Sequence, residues 1–129
     1  MTLAGIAGLE AVRGAVADED LHRRIDAAVE KAWAHWQPAL PAPDKWLAPT
    51  RNYSFYSLHA LSLAGHLSRK ERIGEVDWES QMFAALLAAQ NPKTGEWRAA
   101  NGESEIVSTA LAILILQPRE ASHRKPASP

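Results

Sequence analysis

Cysteine is absent from this sequence, which excludes disulfide staples, thiolate zinc sites and a cysteine nucleophile together. An excess of charge is absent too. The formal net charge is -1, so no global field draws the chain to nucleic acid or to anionic lipid. Long hydrophobic runs are missing: the most extended, Ile106 to Leu116, falls far short of the ~20 residues that span a bilayer. The segment from Met1 to Glu10 has neither the basic start nor the long apolar core of a secretory signal. No sustained alternation of apolar and polar residues between hairpin turns occurs, which argues against a β-sheet. The absence of cysteine is compatible with any compartment; with neither a signal nor a span in view, the expectation is a soluble, cytoplasmic protein with no nucleic-acid partner and no membrane span.

What is present reads as helix. The chain has 129 residues, 47% of them hydrophobic, enough for one globular domain with a modest core. Leu3, Ile6, Ala7, Val12 and Val16 recur at roughly helical spacing. Asp18 and Asp20 offer an acidic start to a second helix, whose apolar face carries Leu21, Ile25, Ala28, Val29, Ala32, Trp33 and Trp36. Gln37-Pro38 ends it, and Pro41, Pro43 and Pro49 keep the next stretch irregular. From Tyr53 to Leu67 almost no polar face remains, the pattern of a helix buried on several sides. After the basic turn of Arg69, Lys70 and Arg72, Asp77 is the expected N-cap of a helix with Trp78, Met82, Phe83, Leu86 and Ala89 on its inner face. Ile106 to Leu116 is again apolar all round. A polar tail at 118–129 is expected to be disordered.

One phrase occurs twice. Gln37 to Trp46 and Gln90 to Trp97 each close an amphipathic helix, cross a proline-containing loop and lead to a more uniformly apolar helix. Repetition at roughly fifty residues predicts stacked helical hairpins, with amphipathic outer helices and apolar inner ones. Thr2 to Gly8, His59 to Gly65 and Thr109 to Ile115 superpose as three inner-helix starts.

With Leu86, Gln90, Gly95 and Trp97 as fixed points, the stretch from Phe83 to Trp97 resembles the glutamine-tryptophan motif of squalene and hopene cyclases. More broadly, Thr2 to Leu116 is similar to the terpenoid cyclase and protein prenyltransferase α/α toroid superfamily, nearest to bacterial proteins with prenyltransferase and squalene-cyclase-type repeats. The resemblance implies an all-α fold in which residues 1–117 form part of an (α/α)6 toroid, two and a half to three hairpins of about six. The superfamily's chemistry does not carry over. Squalene-hopene-type cyclases use an Asp-x-Asp-Asp acid, and the nearest string here is Asp18-Glu19-Asp20-Leu21; zinc-dependent prenyl transfer and thioester chemistry both need a cysteine.

The candidate residues follow. A planar Gln amide at a helix end satisfies orphan backbone groups and lies against an indole, so Gln90, Gly95 and Trp97 read as a structural clasp. Gln37 and Trp46 are its looser first copy, with Asp44 in place of the glycine and a loop two residues longer. Tyr53, Tyr56 and His59 are the candidates for lining an apolar ligand site, against the plainer reading that aromatics at helical spacing pack a core. His59 and His66, two turns apart with no carboxylate between, read as core or helix-end residues rather than metal ligands. Glu103, Glu105 and Asp44 are the carboxylates on segments able to face a cavity, and helix-start carboxylates usually serve the helix dipole. No residue set here specifies a reaction, a metal or a cofactor. The expected function is a non-catalytic or fragmentary toroid module binding a protein or an apolar ligand; the alternative is a piece of a cyclase- or prenyltransferase-like enzyme whose catalytic repeats are missing. An unfinished ring also leaves apolar ends, which predicts association with itself as a dimer, with missing repeats or with another chain.

Overall fold

Helices begin in this chain where an oxygen is at hand for N–H groups that have no partner within the helix. The computed structural model describes residues 2–48, 53–98 and 102–117. Within them lie α1 (Leu3–Ala15), α2 (Glu19–Trp36), α3 (Ser54–Leu67), α4 (Trp78–Ala89) and α5 (Glu105–Leu116), with short 3-10 turns at Gln37–Ala39 and Pro43–Lys45. Thr2 caps α1 by accepting from the Gly5 N–H at 3.2 Å. Asp18 caps α2 through the Leu21 N–H at 3.0 Å, and Asp77 caps α4 through Ser80 at 3.4 Å. Ser104 does the same for α5 through Val107 at 3.2 Å. Among the described residues the fold is all-α without a strand; Ile73 and Val76 form an isolated bridge. No helix among them is long and apolar enough to cross a membrane.

The basic turn after α3 has a specific geometry. Arg69 adopts a left-handed conformation, φ 53°, while its N–H donates to His66 O at 3.0 Å and the Lys70 N–H donates to Gly65 O at 2.8 Å. That pair of bonds is the Schellman C-cap, here with arginine at the position glycine usually takes.

Helix α3 is the centre of the molecule, with α1 packed on one side and α5 on the other. The three run in the same direction. At one end, Thr2, Leu3 and Ala4 share a groove with Tyr56, Ser57 and Ala60; further along, Ser68 Oγ, just past α3, donates to Glu10 Oε1 of α1 at 3.2 Å. The approach to α5 likewise meets the start of α3, through Glu103. Helix α2 packs on α1, and its Trp33 indole N–H donates to Ser68 Oγ at 3.0 Å. Helix α4 meets α3 through Trp78, which is 1% exposed. A Cβ at Gly65 would stand 2.6 Å from the Trp78 ring, so this glycine is what lets the indole lie against α3. Lys70 O accepts from the Trp78 indole N–H at 2.7 Å.

Several expectations change. Of the residues expected to face inward on α2, Ile25, Val29, Ala32 and Trp33 are buried, whereas Leu21 is exposed at the wet first turn. Val16 lies just past the end of α1, and Val12 is 50% exposed. Thr2, His59 and Thr109 are not three helix starts: Thr2 caps α1, while the other two sit in the second turns of α3 and α5. Most important, α5 is not enclosed. It has a neighbour on one side, and Ile106 is 83% exposed on the other. The tail expected at 118–129 lies outside the described residues.

Candidate binding surface

Tyr53 and Tyr56 are exposed and Phe55, between them, is buried, so helical geometry divides this aromatic run into a core residue and two surface residues. Tyr56 borders a shallow groove of about 350 Å³ that also takes in Thr2, Leu3, Ala4, Trp36, Ser57 and Ala60. Tyr53 stands outside it. Its backbone is left-handed, φ 52°, and its ring lies so close to Gly102 that a Cβ there would be 2.9 Å away. His59 is half-buried one turn beyond Tyr56. The ligand-lining candidates therefore share the start of α3, with Tyr56 alone bordering the groove. Sequence pattern did not point to Thr2, Leu3, Ala4 and Trp36 as its other walls, because that contact depends on α1 and α2 folding beside α3.

The second Gln-to-Trp loop is a clasp in the plain mechanical sense. The Gln90 side-chain amide donates to Gly95 O at 2.9 Å, and Gly95 supplies the φ of 76° that the returning loop requires. The Trp97 indole N–H donates to Leu86 O in the last turn of α4 at 2.7 Å, a carbonyl that also accepts the Gln90 N–H at 3.1 Å. The Trp97 main chain is held in turn by α5: its N–H donates to Thr109 Oγ1 at 3.0 Å, and Ser108 Oγ donates to its carbonyl at 2.8 Å. Four residues thus tie α4 to α5. In the first loop, Trp46 is buried to 1% but donates to Pro41 O inside the loop at 2.9 Å. Gln37 lies against the turn before α4, its amide nitrogen 3.1 Å from where a Cβ of Gly74 would stand.

The carboxylates have structural occupations. Glu103 does not serve the helix it precedes; its two oxygens accept the N–H groups of Phe55 at 3.2 Å and Tyr56 at 2.7 Å, capping α3 from forty-eight and forty-seven residues away. Nothing in the local pattern around Tyr53 signals that cap. Glu105 is paired with Arg98 at 3.2 Å, and Asp44 is exposed on the 43–45 turn. His66 is 3.2 Å from Glu79 and meets Trp78 edge-on at 5.0 Å. Among the described residues no three His, Asp or Glu side chains gather where they could hold a metal ion. At the end of α1, the Asp26 hydrogen bond and, after it, the Asp26 charge raise the pKa of the exposed Arg13, a surface pairing with no site around it.

The largest uncommitted feature is on α5. Ile106 is 83% exposed, Val107, Ile113 and Leu114 are each close to half exposed, and Ala110 lies among them. At 3.6 residues per turn these five share one arc of about 120°, and it carries no charge. The opposite arc, Ser108, Ala112 and Ile115, is buried. No family model, no curated protein and no solved structure matches this chain.

Proposed function

We propose that this chain is a non-catalytic α/α-toroid repeat module, or a fragment of such a toroid, that works in the cytoplasm and binds a protein or an apolar ligand through its exposed apolar surface. The observation that carries the reading is the uncharged arc of α5. Soluble monomers rarely leave such a strip open, and contiguous apolar patches usually mark interaction sites. The parallel arrangement of α1, α3 and α5, with α1 and α3 each followed by a second helix, supports a repeat architecture. The non-catalytic part rests on the carboxylates: Glu103 spends both oxygens on the backbone of α3, and Glu105 is engaged by Arg98. These oxygens are taken up by backbone and guanidinium donors.

The test combines a variant with two readouts. Ile106→Glu/Leu114→Glu places charge on the exposed arc, so the helical circular dichroism should be retained while self-association, apolar-dye emission, or both fall. A wild-type chain that sediments as a monomer and leaves an apolar dye silent would overturn the binding reading. Conversion of squalene to a cyclic product by the chain alone would overturn the non-catalytic part.

A further inference from the structure

Building on the reading of α5 as a binding surface, we propose that its occupant is a second copy of this chain, docked so that α5 of each copy lies against α1 of the other. Among the described residues the layer formed by α1, α3 and α5 has two free edges, and both are uncharged. On α1 the exposed positions Gly8, Ala11, Val12 and Ala15 share an arc of about 100° at helical periodicity. The edges differ in relief. Helix α5 presents branched side chains, whereas α1 presents small ones, and a Cβ placed at Gly8 meets nothing within 4 Å. A ridge of Ile and Leu thus faces a surface whose backbone can be approached closely, the match that helix packing needs.

Direction and area select this pairing. Within one chain, α3 is already covered on both sides by helices running parallel to it. A two-fold axis parallel to those helices leaves their directions unchanged, so α5 gains from α1 of the partner the kind of neighbour α3 has, and both edges are covered at once as the two three-helix layers close into a ring of six. Each helix is about 18 Å long, and one helix–helix seam of that length removes on the order of 300–400 Å² from each side. An α5-on-α5 dimer buries one seam, roughly 600–800 Å², the size of a lattice contact; the exchanged dimer buries two, about 1,200–1,600 Å², the size of a stable interface.

The absence of cysteine makes the arrangement directly testable. Chains carrying Gly8→Cys and chains carrying Ala110→Cys are mixed and treated with a bifunctional thiol reagent of about one helix diameter, roughly 10 Å. The mixture should yield cross-linked dimer at least tenfold above either variant alone. Efficient cross-linking of Ala110→Cys by itself would overturn the exchange in favour of α5 on α5. A second variant keeps the test independent of the reagent: Ile113→Glu puts a carboxylate into both seams and should raise the dimer dissociation constant by roughly 100-fold with its helical signal intact. A wild-type chain that sediments as a monomer would overturn the proposal; if its α5 arc still binds an apolar dye, the binding reading survives without it.

Discussion

In the second Gln-to-Trp loop the Trp97 indole reaches out to Leu86 of α4, whereas in the first the Trp46 indole turns back to Pro41 within its own loop. Both rings are buried, and both follow a helix closed by glutamine. The difference lies in what stands between. Gly95, at φ 76°, folds the short second loop sharply back over the end of α4, where the indole reaches the Leu86 carbonyl. The longer first loop has Asp44 at that place, inside a 3-10 turn, and its tryptophan is carried past the end of α2. The second loop therefore joins two helices, while the first is a self-bonded plug whose glutamine touches the next turn instead. A shared motif settles which residues are buried; loop length and one left-handed glycine settle what they hold.

The largest expected effects test burial itself. Trp97→Ala and Trp46→Ala should each cost about 3–5 kcal/mol, the range for truncating a buried tryptophan, measured by urea unfolding. If Trp46→Ala costs far less, the first loop is not a plug and the comparison loses one side. Next come the glycines of the two aligned helix segments. Gly65→Ala forces a Cβ into the Trp78 ring and should cost about 1–3 kcal/mol by overpacking. Gly8→Ala meets nothing and should stabilise the chain by roughly 0.5–1 kcal/mol. Similar signs at both positions would show that Trp78 does not press on α3.

A finer probe separates the two tryptophan hydrogen bonds. Phenylalanine keeps most of the ring and removes the donor, so Trp97→Phe removes a buried bond to Leu86 O, which keeps the Gln90 N–H, and Trp46→Phe removes a part-buried bond to Pro41 O. Each substitution should cost about 1 kcal/mol; a loss near zero for Trp97→Phe would mean that the indole bond to α4 adds nothing to packing. The smallest effect is Lys93→Ala. This side chain is exposed, and its backbone N–H already donates to Asn91 Oδ1 at 2.9 Å, so the change in stability should stay within about 0.5 kcal/mol. A larger loss would place the loop tip in a contact of its own.

Much of the helical skeleton was legible because its signals are local. Asp18 and Asp77 act as caps through N–H groups three residues ahead, and the apolar stretches from Tyr53 and from Ile106 become α3 and α5 within a residue. Hydrophobic periodicity was less informative about exposure. Helix α5 is the more apolar of the two, yet α3 is covered by α1 and α5 on two sides, whereas α5 is covered on one. An apolar residue states that burial would be favourable, and only the arrangement of neighbours provides it.

Local pattern accounts for the all-helical class, the places where helices start and stop, and the two proline-broken loops each ending in a buried tryptophan. Those follow from interactions between residues a few positions apart, which any conformation of the chain carries with it. The tertiary structure alone decided that Glu103 caps α3, that Tyr56 borders a groove with α1 and Trp36, and that one arc of α5 faces solvent. Such contacts join segments tens of residues apart, and their geometry exists only once the helices have packed.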